Sequence, residues 1–467
     1  MTLVIKGTKY NSWADVNWAK VNGVINNLQR RIFVAKQQGR FRTLRKLQNL
    51  LLSSESNRLQ AVRQICQVDS GKNTPRVDNK VFASPFERLQ LVSLLGKTSL
   101  INWKPIPTKR IYISKRNGKL RLLKIPILAD LALQEIVKCA LEPEWEAVFE
   151  ASSCGFRKFL CSNDAIRYIH DVCNSHTSKR WIVDADIKGF FENIPQEYLL
   201  GRLHSFPAQR LIKRWLQAGY LNKRLFHDSS VGTPQYGVIS SLLANIAFHG
   251  MEEAIGISCN KFNSVKATHT LIRYGNDFIV ACQTEQEARL VKSELNSWLK
   301  LRGLTLSTEK TRILHISDGF DFLGFNIKLY KSSSKDKLLI KPSKTSLVKF
   351  RYKLKTIWKK SLGSPLIKVV SRINPVIKRW SQYYKIGVSS KRFSSLDRYM
   401  WIRQYRYARR THPKKSWDWI KSKYWSNFRP NTKNKDRLMF GCNETGAYMD
   451  KFSWASTKRH FIVKNTS

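Results

Sequence analysis

Trp181-Ile182-Val183-Asp184-Ala185-Asp186 (WIVDAD) and, further along, residues 271–282 (LIRYGNDFIVAC) decide how this chain reads. Each is a short apolar run rich in β-branched residues, the pattern of a buried strand. Gly275 and Asn276 tolerate positive φ, so Tyr274 to Asp277 reads as a tight hairpin between two strands. Asp186 and Asp277 then stand at the ends of neighbouring strands. Carboxylates converging from adjacent strands suit a pair of divalent cations about 4 Å apart. Turn aspartates are also common for purely structural reasons.

Outward from this centre, strands and helices alternate irregularly. Ile111 to Ser114 and Leu120 to Ile125 flank Asn117-Gly118, a strong two-residue hairpin signal. Thr284 with Glu287 three residues later reads as a capping box, Val291, Leu295, Trp298 and Leu299 as its buried stripe, and Gly303 as the stop. Towards the N-terminus, Val21, Val24, Ile25, Leu28, Ile32 and Ala35 mark one helix, and Leu44, Leu47 and Leu51 a second. Both interleave cations (Arg30, Arg31, Arg42, Arg45, Lys46) on the face that can meet an anion. A polar linker at 70–80 closes this region. Beyond 341 the chain reads as helices. Leu347, Phe350, Leu354 and Ile357 form one stripe. Ile367, Val370, Ile377, Trp380 and Tyr384 form another, bent at Pro375, and RFSSLDRYMWIRQYRYARR a third. The fold class is α+β.

The chain has 467 residues, with 83 Lys and Arg against 33 Asp and Glu, a net charge of +50. A compact protein with that excess repels itself unless a polyanion neutralises it, which points to RNA or DNA ahead of a membrane or ribosome surface. Residues 341–425 carry 24 cations and two acids, Asp397 and Asp418, a net of +22. Guanidinium groups among aromatic rings suit RNA, the cations holding phosphates and the rings stacking on splayed bases. No run approaches the ~18 apolar residues of a membrane span. The eight cysteines (Cys66, Cys139, Cys154, Cys161, Cys173, Cys259, Cys282, Cys442) form no Cys-x-x-Cys pair, and the histidines complete no zinc spacing. Buried free thiols in a reducing compartment are expected. The first residues show neither a secretory signal nor an Arg/Ser-rich presequence. Leu95-Gly96-Lys97-Thr98 lacks the upstream glycine of a phosphate-binding loop, since that position is Leu91.

Several segments occur in the order and spacing of a group II intron reverse transcriptase: RIYISKRNGKLRLLKIP (110–126), LEPEWEAVFEASSCGFRK (141–158), VDADIKGFFENI (183–194), GTPQYGVISSLLANI (232–246), LIRYGNDFIVAC, LSTEKT (306–311) and FDFLGF (320–325). INPVIKRWSQYYK and RTHPKKSWDWIKSKYW resemble the maturase-specific (X) domain of that family, and residues 16–39 its N-terminal extension. The resemblance implies right-hand polymerase-like fingers and palm followed by an α-helical thumb and X domain. The expected boundaries are 1–90 for the helical extension, 91–335 for fingers and palm, 336–430 for thumb and X domain, and 431–467 for a basic tail with the endonuclease domain absent.

By that resemblance, Asp186 and Asp277 hold Mg²⁺ and Asn276 occupies the position of a further metal-binding Asp. Lys119 and Arg121 face the triphosphate, Phe191 rejects a 2′-hydroxyl, Gln235 and Tyr236 line the nucleotide site, and Lys310 assists the leaving pyrophosphate. Phe191 as a core ring, and Lys310 as a partner of Glu309 or of RNA, stay open as alternatives. Intron RNA is expected on Arg30, Arg31, Lys344, Lys349, Arg351, Lys353, Lys355, Arg379, Arg403, Arg406, Arg409, Arg410, Lys414 and Lys415. Host splicing factors and a second copy are further possible partners, and an organelle (plastid) or bacterial cytoplasm is the expected compartment.

The sequence also departs from the family pattern. Tyr-x-Asp-Asp reads Tyr274-Gly275-Asn276-Asp277, and the glycine after Gln235 is Tyr236. Ser114 and Lys124 replace a Pro and a Gly of the first hairpin. An amide brings no negative charge to two divalent ions, so the expectation is an intron maturase whose DNA synthesis is lost or very weak. An active reverse transcriptase that tolerates Asn276, and a generic RNA binder, are the alternatives.

Overall fold

The structure, a computed structural model, describes residues 10, 12–69, 76–114, 120–174, 177–191, 193–222, 225–227, 237–257, 267–331, 333, 336–428 and 438–457. It is an α+β protein of two compact units. The first takes residues 1–161, 183–280 and 286–312, and the second 162–182, 281–285 and 313–467.

In the first unit, α1 (Trp18–Gln37), α2 (Phe41–Ser53), α3 (Glu55–Arg63) and α4 (Pro85–Lys97) precede the hairpin of β1 (Thr108–Ser114) and β2 (Leu120–Ile125) and pack with α5 (Leu128–Glu146). Helix α1 buries Val21, Ile25, Leu28, Ile32 and Ala35, while Val24 stays exposed at the margin of the stripe. In α2, Leu44, Leu47 and Leu51 are buried. Helix α5 is buried on most of its faces, from Leu128 to Trp145, with Asp130, Gln134 and Glu144 among the buried residues, as suits a central helix rather than a surface one. Buried amides tie its backbone to its neighbours: Asn57 Nδ2 donates to Ile136 O (3.1 Å) and Gln48 Nε2 to Ala140 O (3.3 Å). Arg45 is not a free cation, because it holds Glu144 through Nη1 and Nη2 at 2.6 and 3.0 Å. Leu95 to Lys97 end α4 instead of opening a helix, so they form no phosphate loop. Antiparallel pairing of β1 with β2 runs from Lys109↔Ile125 to Ser114↔Leu120, and the Asn117-Gly118 turn lies outside the described residues.

Next come α6 (Ser162–Cys173), β3 (Trp181–Lys188), α7 (Gln196–Arg202), α8 (Gln209–Gln217), β4 (Tyr220–Asn222), β5 (Leu225–His227) and α9 (Ser240–Phe248). They are followed by β6 (Thr270–Tyr274), β7 (Asp277–Cys282), α10 (Glu285–Lys300), β8 (Thr305–Leu306) and β9 (Arg312–His315). The sheet that carries the site runs β6-β7-β3-β8, which places β7 beside β3. Helix α10 buries the stripe Ala288, Val291, Leu295 and Leu299. Trp298 is half-buried under the Arg302 guanidinium, 3.7 Å from the ring centre, instead of joining that stripe. Glu287 accepts from His269 Nδ1 at 3.0 Å and from the Thr268 hydroxyl.

The second unit adds the sheet β10 (Phe320–Phe322), β11 (Phe325–Tyr330) and β12 (Lys337–Pro342), then α11 (Lys344–Lys360), α12 (Leu366–Tyr384), α13 (Ser390–Thr411), α14 (Trp417–Tyr424) and the pair β13 (Trp425–Ser426) and β14 (Met439–Phe440). Its core is aromatic: Phe350 stacks on Trp380 at 4.7 Å and Tyr424 on Phe440 at 5.6 Å. Two stripes differ from the sequence reading. Trp358, not Ile357, ends the buried face of α11, and Leu366 and Val369 replace Ile367, which is 45% exposed. In both cases the larger or better-phased apolar neighbour took the core position. Helix α12 runs through Pro375 without interruption. Of the described cysteines, Cys66, Cys154, Cys173 and Cys282 are buried, but Cys161 is exposed. Among the described residues no helix is long and apolar enough to cross a membrane.

Candidate functional site

Period-2 alternation puts Asp184 and Asp186 on one face of β3. Gly275 takes φ +66° while Asn276 keeps a negative φ, the sign pattern of a turn with glycine at its first central position. Of these two tolerant residues Gly275 alone takes positive φ, and the tight hairpin expected of them forms between β6 and β7. The need for glycine is steric as well, since a Cβ at 275 would lie 2.7 Å from the Phe156 ring. Phe156 (φ +62°) lies over the turn, and a Cβ on Gly155 would come within 2.3 Å of Gly275 N. The Ile187 N–H donates to Asn276 O (3.3 Å) and Ser307 N–H to Asp186 O (2.8 Å), so turn, β3 and the 307–311 loop are pinned together. Lys310 and Thr311 N–H then both donate to Ser307 O, which fixes the loop that carries Lys310.

Asp186, 7% exposed, is the centre of the arrangement. Its Oδ1 accepts from Asn276 Nδ2 and its Oδ2 from Lys310 Nζ. The carboxylate raises the Lys310 pKa above the ordinary lysine value. Asp277 lies exposed at the head of β7, yet desolvation and then the negative charge of Asp186 push it up to about 6. Asp184 accepts from Arg312 Nε at 3.0 Å. Phe191 is half-buried, edge-on to Phe190 at 4.9 Å and 6.2 Å from Phe156. Lys119, Gln235 and Tyr236 lie outside the described residues, as does the Arg121 side chain.

The donor set does not fit a pair of divalent ions. Both oxygens of Asp186 already serve N–H donors, and Asp184 serves Arg312. Among the described residues no group of three or more His, Cys, Asp or Glu is placed to hold a metal. An ammonium and an amide satisfy Asp186 here.

Behind the turn lies a charged cluster that sequence reasoning missed. Arg273 is 1% exposed; Nη1 donates to Asn245 Oδ1 (3.2 Å) and Nη2 to Ser153 Oγ (2.6 Å). Burial lowers its pKa to about 10, against the raising influence of Glu150. Its backbone is bonded on both sides, N–H to Ser152 O and carbonyl to Cys154 N–H. Burial alone would raise Glu150, but His249, Arg273 and the Gly250 N–H hold it down at about 2. The one signal in the sequence was an arginine inside the otherwise apolar LIRY strand.

In the second unit, Lys344, Lys349, Lys353 and Lys355 of α11, Arg379 of α12, Arg406, Arg409 and Arg410 of α13, and Lys414 and Lys415 are exposed, as are Arg30 and Arg31 on α1 of the first unit. Arg351 and Arg403 are half-buried around the Tyr399 ring, at 5.7 and 5.0 Å. Arg409 donates to Lys415 O at 2.8 Å. Among the described residues one ion pair neutralises a cation of 341–425, Lys378 with Asp450 at 3.6 Å.

Three family profiles match in order: the N-terminal domain of reverse transcriptase over residues 13–95, reverse transcriptase (RNA-dependent DNA polymerase) over 113–327, and the group II intron maturase-specific domain over 347–425. The chain belongs to the group II intron-encoded reverse transcriptase and maturase family. It is 29% identical to protein YkfC of Escherichia coli over 320 residues, covering 60% of this chain and 83% of that one. It is 30% identical to the group II intron-encoded protein LtrA of Lactococcus lactis, covering 49% of this chain and 48% of that one. It is 27% identical to maturase-like protein 1 of Euglena gracilis, covering 79% of this chain and 76% of that one. The chain thus spans about half the length of the lactococcal protein.

Proposed function

We propose that this protein is a group II intron maturase that binds its intron RNA and stabilises the RNA's catalytic fold, and that its polymerase centre is impaired. The observation that carries the second half is the Asp186 carboxylate, bonded by the Asn276 amide and the Lys310 ammonium where metal-directed chemistry needs free acids. The first half is supported by the maturase-specific match over 347–425 and by the exposed, almost unneutralised cations of that segment. A protein that binds only folded RNA shifts its folding equilibrium by mass action, about 2.7 kcal/mol at a hundredfold excess over Kd. The transesterifications then belong to the RNA, and the protein's own contribution is binding energy. This reading places the protein in an organelle or a bacterial cytoplasm, with a plastid the compartment the composition favours. It admits host splicing factors and a second copy as additional partners.

Splicing of the intron in vitro at limiting Mg²⁺ tests this, with intron affinity measured in parallel. Stoichiometric protein should restore splicing, and affinity should fall about 10³-fold or more between 50 and 200 mM salt, because many phosphates are neutralised at once. Splicing that ignores the protein, or a salt slope of only one or two charges, would contradict it.

A further inference from the structure

We infer that the hollow between α13 and α14 is a seat for one unstacked nucleotide of RNA. The inference rests on the RNA-binding reading above and names what part of the RNA this face takes. On α13, Ser394, Arg398 and Trp401 recur at helical spacing and share a face with Gln404, and on α14 Trp417 and Lys421 stand one turn apart. These residues enclose a cavity of about 570 Å³, within the ~300–1,000 Å³ of ordinary small-ligand sites. Met400, Trp425, Phe440 and Met449 line it and are buried.

Its walls have the three components a nucleotide needs. Trp401 is 50% exposed; Tyr405 lies nearly parallel to its ring (15°, 5.9 Å), and the remaining half is open to a stacking partner. Trp417 stands edge-on to Tyr405 at 5.1 Å and to Trp425 at 5.5 Å, which holds the aromatic wall rigid. Arg398 and Lys421 supply exposed cations, and neither is joined to an acid among the described residues. Among the described residues the one hydrogen bond of the Gln404 amide nitrogen goes to the Met449 sulfur, at 3.3 Å, a weak acceptor that a base edge can displace. Of the two acids present, Asp397 already accepts from the Phe452 and Ser453 N–H groups at 2.7 and 3.0 Å. Asp450 is half-buried 3.6 Å from Lys378, and its Oδ2 has no hydrogen-bond partner among the described residues. Ring faces for a base, cations for its phosphate and an amide for its edge recur where single-stranded RNA is bound. The net +22 of the surrounding segment favours a polyanion over a peptide.

The test uses the full chain and two hairpin RNAs, one with a single bulged 2-aminopurine and its fully paired counterpart. Wild-type protein should bind the bulged hairpin more tightly and quench its fluorescence by stacking. Trp401→Ala should weaken the bulged complex about ten-fold and abolish the quenching while leaving the paired hairpin's affinity unchanged, which also certifies that the variant is folded. Trp401→Phe should recover most of the loss. Equal loss on both hairpins overturns the inference, as does the result expected of a protein-docking face, unchanged affinity for both. Failure of wild-type protein to bind either RNA overturns the RNA-binding reading itself.

Discussion

Asn276→Asp combined with Tyr236→Gly is expected to raise Mg²⁺-dependent primer extension by on the order of 10²–10³, the usual worth of one preorganised electrostatic group in an active site. An Asp at 276 ends the donation from the Asn276 amide to Asp186 and adds a negative charge beside Asp186 and Asp277. Three carboxylates this close repel one another unless a cation sits among them. The double variant should therefore melt lower than wild type in EDTA and recover with Mg²⁺, and it should gain a Mn²⁺ site visible by paramagnetic resonance even where synthesis stays slow. Lys310 then moves from Asp186 towards solvent or phosphate, so its ion pair is the contact to watch. Ordinary synthesis by wild-type protein, with no rise in the variant, would contradict the lesion.

Arg273→Met should destabilise the first unit by about 3–5 kcal/mol, the usual consequence of leaving buried charges without their partner. Glu150, held at about 2, would lose one of its cations, and Glu252, which burial raises, would lose an offsetting charge. Asn245 and Ser153 would lose their donor. Arg273→Lys keeps the charge without the planar fork and should recover only part of the loss. With two units, a single unfolding free energy is ill-defined. Amide exchange in β7, at Phe278 to Val280, is the better reading and should accelerate sharply. Exchange within a few-fold of wild type would show that the cluster does not secure the turn.

The two strands and their acids were legible because alternation and apolar runs place Asp186 and Asp277 without knowledge of tertiary contacts, and β7 does lie beside β3. The helical stripes of α1 and α2 were legible for the same reason. What periodicity could not reach was contact between distant segments. Phe156 closes over a turn more than a hundred residues downstream, and Arg45 looked like a free cation until Glu144 of α5 was placed against it. The partner of Lys310 was likewise open, because Glu309 is adjacent in sequence while Asp186 is adjacent only in space. The rings of 341–425 read as one group suited to RNA, and only burial separates the exposed Trp401 and Trp417 from Trp380 and Tyr407, which lie inside.

Sequencing the RNA cross-linked to the protein in its own cells tests the central claim most directly. The account predicts that one group II intron transcript dominates the recovered RNA, with contacts mapped to the 344–415 segment and the N-terminal helices. Recovery of many structured RNAs in proportion to their abundance would contradict it.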